Sequence, residues 1–121
     1  MKLTQNQIDF MLSNDNGIVV LASATPDGKP RTCLVRARFL DGEMVIADAQ
    51  MGQTLDNIKN NSNIQILSCA KDYSRWLKIS GEAEYSTAGK VFDHLVSVSD
   101  PAFPIKGALA IAIENIEDIT D

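Results

Sequence analysis

DAQMGQTLDNIKNN, residues 48–61, is the stretch where the chain changes from extended to helical, and the other elements are ordered around it. EMVIA, residues 43–47, leads into it with the composition of a strand. Gly52 interrupts that pattern, and Leu55 and Ile58 then recur at helical spacing behind Gln53 and Thr54. A helix start leaves backbone N–H groups without intrahelical acceptors and carries the positive end of a macrodipole. Gly52, Gln53 and Thr54 are therefore a candidate anion site.

Upstream, Asp41-Gly42 is a tight-turn dipeptide that returns an alternating stretch into EMVIA. In that stretch Cys33, Val35, Ala37 and Phe39 share one face, and Thr32, Leu34, Arg36 and Arg38 share the other. Pro26-Asp27-Gly28 is a second turn, preceded by the strand-like IVVLASAT, residues 18–25. The pattern predicts three strands in an antiparallel meander. Before them, Thr4 caps a helix through Ser13 with Gln7 three residues on, and Asn14, Asp15, Asn16 and Gly17 stop it.

Downstream, the turn formers at 60–63 introduce a fourth strand at 64–69. A fifth follows at 76–85, with Leu77, Ile79, Gly81, Ala83 and Tyr85 on one face and Gly81 marking a bend. Ser86 or Thr87 opens a helix through Leu95 that turns Val91, Phe92 and Leu95 inward. GALAIAI, residues 107–113, is apolar on both faces, which predicts a central strand or one covered by a second subunit. ENIEDITD reads as a polar strand end or tail. No repeat or linker divides residues 1–121, so a single domain in the form of a small six-stranded barrel is expected.

A formal net charge of −5 argues against nucleic acid, whose binders cluster positive charge. No apolar run approaches the roughly 18 residues of a membrane span, and the N-terminal stretch has no cleavage pattern, so a soluble cytoplasmic protein without a membrane partner is expected. The two cysteines, Cys33 and Cys69, form no Cys-x-x-Cys pair and read as reduced residues buried in strands. His94, the only histidine, reads as a helix residue without an orienting partner for base catalysis. No triad, carboxylate pair or metal set is present, and no residue is assigned as catalytic.

This order of elements, nearly the whole chain, resembles the pyridoxamine 5'-phosphate oxidase-like FMN-binding split-barrel family, most of all its minimal bacterial FMN-binding members. The family's Lys-Thr-x-x-Asn turn reads here Gln53-Thr54-Leu55-Asp56-Asn57, and Arg31-Thr32-Cys33-Leu34-Val35-Arg36 is similar to its Arg-x-Val-Leu-Leu-Lys strand. The resemblance implies a mainly β, six-stranded antiparallel split β-barrel with two or three short helices. It implies FMN as cofactor, in a homodimer with the flavin between subunits, and gives GALAIAI and Trp76 an interface role. The cofactor-binding positions carried over are Arg31, Thr32, Cys33, Leu34, Arg36, Ala47, Asp48, Ala49, Gln53 and Thr54. Arg31 and Arg36 take the basic positions, although five residues apart on a regular strand they point to opposite faces. Gln53 replaces the Lys expected at the phosphate.

The function implied is an FMN-dependent oxidoreductase or electron carrier with a small-molecule or protein redox partner. The short chain lacks the extended C-terminal segment of the oxidase itself, which speaks against that activity. Two alternatives stay open: a flavin-free binding or interaction module, favoured by Gln53, and a relative using deazaflavin F420 or haem.

Overall fold

The computed structural model describes residues 1–120; Asp121, the end of the expected tail, lies outside the described residues. Helix α1, Gln5–Ser13, starts at a capping box in which the Thr4 hydroxyl accepts the Gln7 N–H and the Gln7 side chain accepts the Thr4 N–H. Its Ile8 and Met11 enter the core. The chain leaves α1 through a single 3-10 turn, Asp15–Gly17, with Gly17 in the left-handed region at φ 86°.

Seven strands follow rather than six: β1 Ile18–Ala24, β2 Pro30–Arg36, β3 Arg38–Leu40, β4 Glu43–Asp48, β5 Asn63–Cys69, β6 Arg75–Ser86 and β7 Gly107–Thr120. Helix α2, Gln53–Asn60, joins β4 to β5, and α3, Lys90–Val98, joins β6 to β7. All strands lie in one sheet of order β2-β1-β5-β6-β7-β4-β3, with every neighbour antiparallel. This is the mainly β, split-barrel architecture that the sequence led us to expect.

The extra strand corrects the expected meander. The alternating stretch at 32–39 divides at Ala37: its first half pairs with β1 and its second half with β4. The two outermost strands of the sheet, β2 and β3, are therefore neighbours in the chain. The sheet curls until its edges meet through the corner at Ala37, without a hydrogen-bonded ladder between them. Gly17 fixes that corner, because its carbonyl accepts the Ala37 N–H at 2.8 Å. A Cβ on Gly17 would stand 2.7 Å from the Ala37 carbonyl oxygen, so the approach needs glycine.

Leu21, Met44, Ile46, Ile66, Leu77, Ile79 and Leu109 are fully buried inside the curl, and Met11 of α1 closes one end. A second cluster, Val45, Leu95 and Ala108, lies beneath α3. It explains the two apolar faces of residues 107–113: Leu109, Ile111 and Ile113 enter the barrel, while Ala108 packs beneath α3. That cover comes from the chain itself at Ala108, while Ala110 on the same face is half-buried and Ala112 exposed. The bend expected at Gly81 is a register shift between Ser80 and Gly81 in the β6–β7 ladder.

Two further expectations are corrected. Helix α3 begins after Gly89, later than Ser86 or Thr87, because β6 continues to Ser86 in register with Ala108. Cys69 is exposed, since β5 alternates and turns Ile64, Ile66 and Ser68 inward in its place.

Candidate functional site

The free edge of β2 leaves a gap in the barrel wall. Across it stand the end of β4 and the turn at 49–52, and between them lies a cleft of about 280 Å³. Arg31, Cys33, Leu34 and Arg36 line it from β2, and Ala47, Ala49 and Thr54 line it from the other side. The fold thus gathers these seven expected positions. It does not place Thr32, Asp48 or Gln53 on the lining. Thr32 belongs to the outer face of the sheet, beside Ala22 and Trp76. Val35, Gln50 and Met51 line the cleft and were not singled out by sequence reasoning. Val35 could have been found from its shared face with Cys33; Gln50 and Met51 sit in a turn whose path no periodicity reports.

The two arginines do alternate, since the β1–β2 register runs without a bulge from Ile18↔Arg36 to Ala24↔Pro30. Both still reach the cleft, because it runs along an open strand edge and meets side chains of either face. Arg31 is oriented by Thr54: its Nε donates to Thr54 Oγ1 at 3.2 Å. The same hydroxyl donates to Cys33 Sγ at 3.6 Å, and the Thr54 N–H donates to the Met51 carbonyl at 3.1 Å. Thr54 is buried, with hydroxyl and amide both engaged, and it fastens the first turn of α2 to β2.

Gly52 caps α2 at φ 54° and ψ −118°, a conformation that side-chain-bearing residues rarely adopt. Further along the helix, Asn57 is buried and donates to Ser23 Oγ at 3.3 Å, which pins α2 against β1. Gln53 Nε2 donates to Asn57 Oδ1 at 2.9 Å, so this exposed side chain lies along the helix and not in the cleft.

Asp48 stands behind the cleft wall and is buried. One carboxylate oxygen accepts the Met51 N–H at 3.0 Å, and the other accepts the Tyr85 hydroxyl at 3.0 Å. Its carbonyl accepts the Lys106 N–H at 2.7 Å. Burial, and then the Asp48 carboxylate, push the Tyr85 hydroxyl above the usual tyrosine range. Among the described residues no acidic side chain lines the cleft, although the chain as a whole carries a formal charge of −5. The cleft therefore presents two guanidinium groups beside a wall of uncharged residues, Ala47, Ala49, Gln50, Met51 and Thr54. Among the described residues, no group of three or more His, Cys, Asp or Glu side chains could hold a metal ion. No helix among them is long and apolar enough to cross a membrane.

The family model for pyridoxamine 5'-phosphate oxidase matches residues 7–119, and the chain belongs to that family. The uncharacterized protein MJ0282 of Methanocaldococcus jannaschii is 33% identical over 127 aligned positions, covering 98% of this chain and 82% of that one. Solved structures share the fold. HupZ of Group A Streptococcus superposes with a TM-score of 0.85 at 22% identity, covering 98% of this chain and 94% of that one. An FMN-binding protein of Syntrophomonas wolfei gives 0.77 at 15% identity, covering 93% and 82%. HutZ, the haem storage protein of Vibrio cholerae, gives 0.74 at 10% identity, covering 99% and 95%.

Proposed function

We propose that the cleft binds FMN and that the protein is a flavin-dependent oxidoreductase or electron carrier. The observation that carries this reading is the charge of the cleft: Arg31 and Arg36 line it with no carboxylate among the described lining residues, in an acidic chain. Guanidinium groups match phosphate oxygens in geometry and charge. Arg31 suits the phosphate best, since its Nε is held by Thr54 and its terminal nitrogens remain to donate. Backbone at 32–34 and at 47–49 would edge the ring and the ribityl chain. Bound FMN would supply hydride or electron transfer; the chain's part is to hold it, set its surroundings and limit solvent access. The FMN-binding protein of Syntrophomonas wolfei, similar in fold, adds support, while the likeness to HutZ makes haem the competing ligand.

The cleft is smaller than the roughly 300–1,000 Å³ of pockets that enclose a ligand, and it is open. At its rim Leu34 is 71% exposed, next to an outer sheet face carrying Leu67 and Trp76. A second copy laid over that face would complete the site, which makes a homodimer with flavin between subunits part of the reading.

The test is a titration of the apoprotein with FMN, riboflavin, F420 and haem, read by absorbance and fluorescence. FMN binding well above riboflavin is the expected result. Haem binding alone, or no ligand at high micromolar concentration, overturns the reading. Sedimentation of the FMN complex is expected to give a dimer, and a flavin-bound monomer rejects that part.

A further inference from the structure

Resting on the flavin reading of the cleft, we propose that the pair of buried Asp48 and half-buried Tyr85 is a positioning device for the cofactor wall at 49–51. Ala49, Gln50 and Met51 line the cleft without a strand ladder to hold them. Their path depends on the Asp48 carboxylate, which accepts the Met51 N–H at 3.0 Å. That carboxylate is held in turn by the Tyr85 hydroxyl at 3.0 Å, from the end of β6. Tyr85 has little room to move: a Cβ on Gly107 would stand 2.1 Å from its hydroxyl oxygen, and the Lys59 ammonium lies 5.1 Å from its ring centroid. The rigid β6–β7 end of the barrel thereby fixes the cleft wall through two side chains. Asp48 belongs to the site by what it holds in place and has no contact with the cleft of its own.

Tyr85→Phe keeps the ring and its packing and removes only the hydroxyl, leaving one buried carboxylate oxygen without its donor. The wall runs from Ala49 to Met51, whose carbonyl accepts the Thr54 N–H at 3.1 Å, and FMN and riboflavin meet it alike, so the loss is expected to weaken both, about three- to tenfold. The visible circular dichroism of bound flavin is expected to change with it. Amide hydrogen exchange of the apoprotein is expected to speed up at Met51 in Tyr85→Phe.

Flavin affinities unchanged in Tyr85→Phe, measured well below its unfolding temperature, overturn the proposal even if that temperature falls. A loss confined to FMN overturns it too, since riboflavin meets the same wall. If the wild type binds no flavin, the cofactor reading fails on its own. The exchange measurement then decides whether the pair holds the wall, and unchanged exchange at Met51 rejects that as well.

Discussion

The β5–β6–β7 side of the barrel and the β2–β4 side are held by different bonds. On the first side, β6 pairs with β5 from Asn63↔Glu82 to Cys69↔Trp76 and with β7 from Arg75↔Thr120 to Ser86↔Ala108. Backbone ladders run along that half, and its Ile66, Leu77, Ile79 and Leu109 are fully buried in the core. On the second side the wall is open, and single side-chain bonds replace the ladder. Thr54 ties Arg31 to α2, Asn57 ties α2 to Ser23, and Asp48 ties the turn to Tyr85. A barrel that closed with ladders all round would satisfy its backbone groups and leave no strand edge for a ligand. The gap at β2 is thus the feature that lets the fold bind, and the ladder-bound half is what keeps the gap in shape.

The largest effect is expected at the closed side. Leu109→Asp places a carboxylate in the barrel core and is expected to cost about 4 kcal/mol or more, abolishing cooperative thermal unfolding. A folded variant with normal melting would show that this half is not the scaffold. At the open side, Arg31→Ala is expected to weaken FMN by about ten- to a hundredfold and riboflavin little, with a small change in thermal stability. Equal losses for both ligands would move the phosphate elsewhere. Gln53→Lys adds a charge at the first turn of α2 and is expected to tighten FMN about tenfold without affecting riboflavin; no change would mean the side chain stays along the helix.

The smallest effect lies far from the cleft. Arg75 pairs with Asp118 through Nε at 3.0 Å and Nη2 at 2.7 Å, and lies over the Phe10 ring of α1. The Arg75 hydrogen bond, with help from Gln7, holds the Asp118 carboxyl below the usual aspartate range. A folded-state pKa below the unfolded value means the stabilisation is present above the unfolded pKa, about 3.9, and is lost as pH falls through the folded one. Asp118→Asn is expected to cost about 1 kcal/mol at neutral pH, with discounting for its partial exposure, and to leave flavin affinity unchanged. The difference from wild type should shrink on acidification, as followed by urea unfolding at pH 7 and below pH 4.

Local chemistry determined a good part of this structure. The capping box at Thr4, the turns at Asp27-Gly28 and Asp41-Gly42, the helix opening after Gly52 and the alternation of β5 and β6 all depend on residues close in sequence, and all stand as the sequence predicts. Seven of the ten cofactor positions that the family resemblance implied come together in one cleft. Family membership was legible too, through Thr54, Asn57 and the arginines of β2.

Other features depend on pairing across the barrel. Alternation cannot tell that the stretch at 32–39 changes partners at Ala37, because side chains keep their period of two on both sides of the corner. Nor does apolarity on two faces say what covers them; α3 does so for Ala108. Asp48 read as a carboxylate beside a helix start, and the fold turned it inward to Tyr85, 37 residues away in the chain. Sequence patterns report which side of an element is apolar, whereas a hydrogen bond between distant elements exists only once their packing has fixed both ends.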